Sequence, residues 1–322
     1  MPTPTIPGIH HITAIAGDPQ RNLDFYSTIL GLRLVKLTVN FDDPGTYHFY
    51  FGNEEGTPGS ILTFFPWPHA PRGVVGSRQV TATTFAVPVG SGPYWRSRLS
   101  AHGVTVNDAG ERFGEAILAL HDPDGLPLEL VATRHANPAL ASRDTAVDSE
   151  HAIGGFHSAT LSEEGYEQTA RLLTDTMGFS LVGNEGNRFR YQTAGGGAGA
   201  IVDLLCTPDG RFGRLGTGTV HHIAWRTPDD AQQLQWRSEL ARLGYNVTPV
   251  VDRDYFRSIY YREPGGVLFE IATDPPGFTV DEPKERLGER LMLPHRYESQ
   301  RSTLERILPR VTLPVRRSKA AR

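Results

Sequence analysis

Four of the twelve histidines stand in two adjacent pairs, His10 with His11 and His221 with His222. Both pairs fall in β-like runs, GIHHITAIAGD and VHHIAWRTP. Alternation along a strand sends neighbours to opposite faces, so one imidazole of each pair points inward while the other turns outward or stands behind it. A third group, Glu270, lies in VLFEIAT, with Leu268 and Phe269 before it and Ile271 and Ala272 after it. A carboxylate buried among such neighbours is costly unless it is paired or takes up a proton. Coordination of one cation by His11, His222 and Glu270 removes that cost. Two imidazoles and one carboxylate on one face of an octahedron are the ligand set of non-haem Fe(II) oxygenases, with up to three positions left for reactants. The same three residues also suit Zn2+ or Mn2+, so spacing alone leaves the metal open.

Strands must position these groups, and the chain carries them in repeats. Four segments, near 8–66, 79–133, 154–205 and 219–273, share one order: a strand, a helix, then several strands. Segments one and three open alike, GIHHITAIAGD against GFHSATLSEEG, and their helices end in LGL and MGF. Segments two and four close alike, DPDGLPLELVAT against EPGGVLFEIAT. A βαβββ unit makes a curved sheet with an open edge, and two such units close into a cup. The expected fold is therefore α+β, with four βαβββ modules forming two barrel-like cups. If segments one and four share a cup, its inward positions are His11, Thr63, His222 and Glu270. The other cup then holds Ala82, Glu129, Ser158 and Asp203, with no aligned histidine, which leaves a single metal site. Thr63 supplies no fourth carboxylate, and that keeps coordination positions free for oxygen chemistry.

At 322 residues the chain is long enough for two domains of about 150 residues each. The expected boundaries are 1–141 for the first pair of modules, 152–280 for the second and 281–322 for a helical tail. The polar stretch 134–151 reads as the linker, and 286–308 has helical character suited to packing over a cup mouth or a partner subunit. The basic end 315–322 reads as disordered. Lys and Arg total 32 against 36 Asp and Glu, for a net charge of −4, which argues against nucleic acid as the main partner. No apolar run approaches a membrane span, and the start lacks a signal-peptide pattern. The single cysteine, Cys206, excludes an internal disulfide framework and fits a reducing, cytoplasmic compartment. Cys206 itself reads as a buried small apolar residue, and AGGGAGA (194–200) as a turn between strands.

These strings, together with REPGGVLFEIATDPPGF (262–278), TYHFYFGNEEGTPGSILTFFPWP (46–68) and LGERLMLPHRYESQRSTLERILP (287–309), resemble the vicinal oxygen chelate superfamily. Within it they are similar to ring-cleaving dioxygenases that act on hydroquinones. The resemblance implies Fe(II) held by His11, His222 and Glu270, with ligands drawn from the first and last modules. It implies supporting roles for His10, Thr13, His221, Arg253 and Tyr260. Arg253 and Tyr260 would steady a substrate oxygen anion, and His221 is the candidate acid/base. The implied partners are a small aromatic substrate and O2, with homo-oligomerisation left open. A para-diol would bind through one deprotonated oxygen, and the ring would open beside it with uptake of both oxygen atoms. Three rival readings share the scaffold: an extradiol catechol dioxygenase, a glyoxalase I-like isomerase and a metal-free ligand-binding protein.

Overall fold

Each quarter of the chain builds one βαβββ module, and glycine or proline marks most of the joints. The computed structural model describes residues 4–143, 145–197 and 199–314. The first module runs β1 (Ile9–Ala16), α1 (Pro19–Leu23) with a wider helical turn over Asp24–Ile29, then β2 (Arg33–Val39), β3 (Tyr47–Gly52) and β4 (Ile61–Pro66). The second comprises β5 (Gln79–Val87), α2 (Gly92–Ala101), β6 (Val106–Arg112), β7 (Glu115–His121) and β8 (Pro127–Ala132). The third comprises β9 (Phe156–Glu163), α3 (Glu167–Arg171), β10 (Phe179–Glu185), β11 (Arg188–Thr193) and β12 (Ile201–Cys206). The fourth comprises β13 (Thr219–Thr227), α4 (Asp230–Arg242), β14 (Val251–Asp252), β15 (Phe256–Arg262) and β16 (Leu268–Pro276).

The modules pair across the chain. One eight-stranded sheet has the order β14-β15-β16-β13-β1-β4-β3-β2, joining the fourth module to the first. The other has the order β10-β11-β12-β9-β5-β8-β7-β6, joining the third to the second. The sequence stretches 1–141 and 152–280 thus supply one module each to each cup. The seam of the first cup is the antiparallel pair β1–β13, whose register shifts on either side of the segment His11–Thr13. Such bulges re-aim side chains on the bent strand.

Helices close the outer faces. Asp229 caps α4 by accepting from the Gln232 amide at 2.8 Å, which satisfies one otherwise orphaned donor. On the inner side of α4, Trp236 and Leu240 are fully buried. There Gln233 Nε2 also donates to the carbonyls of Arg257 and Ile271, tying the helix to the sheet that carries Glu270. The two cups share one core, in which Phe179 of one sheet meets Trp225 of the other at 5.4 Å between ring centroids.

The tail departs from the expected helix. Among its described residues only α5 (Arg301–Ile307) is α-helical, with short 3-10 turns at Lys284–Arg286 and His295–Gln300. Gly288 and Pro294 interrupt helical continuation. Instead the segment straps the first module: buried Lys36 pairs with Asp281 and Glu282, and the Met292 amide donates to the Leu37 carbonyl at 2.9 Å. Gly288 has φ +77°, and a Cβ there would lie 2.1 Å from the Leu34 carbonyl oxygen, so only glycine permits this approach. The linker also packs, since Ser142 Oγ donates to the Gly52 carbonyl at 2.7 Å and Val147 is buried. Arg134, His135, Asp148 and Glu150 remain exposed, so only part of the stretch is packed. Cys206 is half-exposed, not buried, with its thiol 3.6 Å from the Glu164 carbonyl. The basic end 315–322 lies outside the described residues.

Candidate functional site

Sheet register brings the site together in two rows. His11 on β1 lies opposite Ala224 on β13, which lies opposite Glu270 on β16, which in turn faces Tyr260 on β15. One step along, His222 pairs with Thr13, Thr13 with Thr63, and Thr63 with Tyr50 on β3. The rows place His11, His222 and Glu270 so that their ligand atoms lie within 4.8 Å of one another, all buried. The Nε2 atoms of His11 and His222 are 3.3 Å apart, and they lie 3.4 and 2.9 Å from Glu270 Oε2. Adjacent donors about 2.1 Å from one octahedral ion would be about 3.0 Å apart, close to these three edges.

The chemistry of the donors fits a cation as well. Glu270 Oε1 accepts from Ser258 Oγ, but Oε2 is fully buried and receives no aligned hydrogen bond. Burial alone would raise the Glu270 carboxyl; charge or hydrogens on His11 and His222 outweigh it and hold the group well below its usual range, a role that a bound cation would take over once the imidazoles turn their lone pairs to it. An ionised oxygen without an aligned donor between apolar strand neighbours is the condition that a metal resolves.

Each ligand imidazole is held by its neighbour in sequence. His10 Nδ1 and His11 Nδ1 are 2.9 Å apart, as are His221 Nδ1 and His222 Nδ1 at 2.8 Å. A neutral His11 or His222 that keeps its Nε2 lone pair free carries its proton on Nδ1 and donates it to that neighbour. His10 does not face outward; it is buried beneath Phe256, with centroids 5.0 Å apart. His221 lines the cavity, and burial first, then His222, pulls it down to about 3, which leaves it neutral.

The three ligand atoms open on a cavity of about 390 Å³. Its walls are largely aromatic: Phe65 and Trp67 stack at 5.6 Å, with Phe41 and Leu268 among the other lining groups. Thr13, Arg253 and Tyr260 also line it. Arg253 Nε donates to Tyr260 Oη at 3.1 Å, and its Nη1 meets Asp42 at the exposed rim at 3.0 Å. Burial and the Glu270 charge push the Tyr260 hydroxyl upward against the pull of Arg253, so it remains a hydrogen donor. The tail secures this rim, because Arg296 and Tyr297 both donate to the Phe41 carbonyl.

Sequence reading passed over His48, Tyr50 and Ser258. His48 and Tyr50 stand two apart in TYHFYFG and so share a face of β3, a signal hidden by ordinary strand composition. In the other cup, Glu129 is held by Arg112 and Thr84, and Asp203 by Arg188 and Arg190. Ion pairs fill the positions that the first cup leaves for ligands.

The model of the Glyoxalase/Bleomycin resistance protein/Dioxygenase superfamily matches residues 8–130 and 155–271. MhqO of Bacillus subtilis (strain 168), named as a candidate ring-cleaving dioxygenase, is 54% identical over 303 residues, covering 94% of this chain and 96% of that one. A chlorohydroquinone/hydroquinone 1,2-dioxygenase of Sphingobium indicum is 36% identical over 309 residues, covering 94% and 96%. A crystal structure of a candidate dioxygenase from Bacillus subtilis superposes with a TM-score of 0.93 at 52% identity, covering 96% of this chain and 99% of that one. Matched modules in both halves, near full-length relatives and a shared two-cup architecture lead to one conclusion: the chain belongs to the glyoxalase/bleomycin resistance protein/dioxygenase superfamily.

Proposed function

We propose that this protein is an Fe(II)-dependent dioxygenase that opens hydroquinone-type rings with O2. It is an oxidoreductase of the ring-cleaving dioxygenase class, as its named relatives are. The observation that carries the finer reading is the ionised, donor-less Oε2 of Glu270 beside two Nε2 atoms on the floor of an aromatic cavity. A ferrous ion bound by His11, His222 and Glu270 would bring a phenolate oxygen and O2 to adjacent positions and carry electron density between them.

The chain's own groups supply the rest. Phe41, Phe65, Trp67 and Leu268 hold a flat apolar ring and exclude water from it. Arg253, fixed by Tyr260 and Asp42, steadies an oxygen anion, and Tyr260 donates a hydrogen bond. His221, neutral and on the wall, holds a proton at Nε2 when His222 donates to its Nδ1. His10 orients His11 in the same way. A cytoplasmic location belongs to the same proposal, supported by a lone cysteine in 322 residues.

The test is oxygen uptake with product identification. Protein loaded anaerobically with Fe(II) receives methylhydroquinone or catechol, alongside metal-free protein and His222→Ala. Ring-opened product from methylhydroquinone, absent in both controls, is the expected result. Turnover of catechol alone would replace the para-diol reading with an extradiol one, and uptake without ring opening is autoxidation and refutes the reading.

A further inference from the structure

One wall of the cavity carries a continuous chain of polar groups that the reading above does not use. Tyr50 Oη lies 2.9 Å from His48 Nδ1, His48 Nε2 lies 2.9 Å from Thr63 Oγ1, and Thr63 Oγ1 lies 2.8 Å from Thr13 Oγ1. Tyr50, Thr13 and the central His48 all line the cavity, and among the described residues neither terminal hydroxyl has a second side-chain partner. The His48 ring is locked between Tyr50 and Phe65, with centroids 4.0 and 4.5 Å away. All four groups are buried. Burial, with His11 next, keeps His48 well below its ordinary value and therefore neutral.

A neutral imidazole has one donor and one acceptor nitrogen. The chain therefore runs in one of two senses. In the first, Tyr50 donates to His48, His48 to Thr63 and Thr63 to Thr13, and the Thr13 hydrogen points into the cavity. In the second, every bond reverses and the Tyr50 hydrogen points into the cavity. Either way one donor is presented to the ligand, and reversal moves that donor from one end of the wall to the other.

We propose that Tyr50, His48, Thr63 and Thr13 form a proton relay joining two points of the cavity, an inference that rests on the aromatic-diol reading above. A ring hydroxyl that becomes an anion gives its proton to the Tyr50 oxygen. Tyr50 passes its own proton to His48 Nδ1, His48 passes the Nε2 proton to Thr63, and Thr63 passes its proton to Thr13. Thr13 releases one proton to a water molecule or an oxygen anion of the reacting substrate. At each hydroxyl one O–H bond breaks and one forms, at His48 an N–H bond forms at Nδ1 and one breaks at Nε2, no electrons transfer, and no relay member changes net charge. Thr63, which does not line the cavity, acts through its neighbours and is a positioning residue, whereas Tyr50 and Thr13 meet the ligand at the ends of the relay and His48 carries the proton between them.

The test compares Tyr50→Phe, Thr63→Val, the double variant and Thr63→Ser in Fe(II)-loaded protein with methylhydroquinone. Each interruption is expected to lower kcat on the order of a hundredfold, the scale of lost acid–base assistance. The double variant falls no further than either single one, because a relay broken once is broken. Thr63→Ser recovers most of the loss, and metal content and KM stay within about twofold of the parent. Full kcat in Tyr50→Phe, additive losses, or losses that appear only with loss of metal would overturn the relay while leaving the diol reading intact. Nitrogen-15 NMR of His48 in the Zn(II)-loaded protein needs no turnover. Both ring nitrogens are expected between their protonated and unprotonated limits, as the two senses exchange. A single fixed tautomer overturns the relay. Should no diol be opened at all, that spectrum alone decides.

Discussion

Glu163, the last residue of β9, and Glu263, in the turn between β15 and β16, are both buried where the third module meets the fourth. Glu263 accepts from Thr169 Oγ1 at 2.6 Å, from the Gly265 amide at 2.7 Å and from the Val267 amide at 2.6 Å. Neither oxygen of Glu163 has a donor. Burial first, then the Glu263 charge, pushes Glu163 up to about 9 from an ordinary 4.5, and burial raises Glu263 as well against its three donors, so the pair keeps a proton that Glu163, without a donor, is the better placed to hold. The folded chain binds that proton more tightly than the unfolded chain does. Its contribution is complete below pH 4.5 and is lost as pH rises toward about 9. Within the window the loss is about 1.4 kcal/mol per pH unit, or about 3 kcal/mol by pH 7. Glu163→Gln keeps a neutral group of the same size at every pH. Urea denaturation of parent and variant from pH 5 to 8 is the assay. The stability difference in favour of Gln should widen with pH, reaching on the order of 3 kcal/mol near neutrality. Parallel pH profiles for the two proteins would refute the assignment of the proton to Glu163.

Metal binding and the rim lead to further expectations. Added Fe(II) or Mn(II) at about a hundred times its dissociation constant should stabilise the fold by about 2.7 kcal/mol, measured as a rise in Tm under anaerobic conditions. Glu270→Gln should abolish that rise, since it replaces the donor-less Oε2 that lies nearest both imidazoles. Arg253→Lys keeps the charge but loses the fork that joins Tyr260 to Asp42; kcat/KM should fall about tenfold or more in steady-state assays. Arg296→Ala combined with Tyr297→Phe frees the Phe41 carbonyl at the cavity rim. KM should rise several-fold, with kcat nearly unchanged, and an unaltered KM would show that the tail does not hold the rim.

The repeats made the architecture readable. Matching strand openings and closings placed His11, His222 and Glu270 on corresponding strands, and only one of two cups could then hold two imidazoles. His48 and Tyr50 escaped because aromatic and polar residues two apart are ordinary strand composition. Nothing local says that their face lines a cavity or that Thr63 stands within reach. Ser258 gave no signal either, since its partner Glu270 lies across a strand pair whose register the sequence does not print. The tail misled through propensity. A run with helical character is overridden where Gly288 and Pro294 interrupt it and where backbone bonding to Leu37 offers an extended alternative. The contact of Ser142 in the linker with the Gly52 carbonyl carried no local signal, because its partner lies ninety residues away in sequence.

The seam between β1 and β13 joins residues about two hundred positions apart, while β5 and β9 belong to consecutive modules. During synthesis the second and third modules can therefore close on each other soon after both emerge. The first module must wait, its β1 edge unpaired, until the fourth is made. The nascent chain thus completes the cup built from ion pairs before the cup that binds. His11 leaves the ribosome long before Glu270, so no product that ends ahead of β16 can present the full triad of side chains. A chain interrupted before β16 carries half a site and an open sheet edge, an aggregation-prone species that can neither capture the metal nor react with oxygen through it.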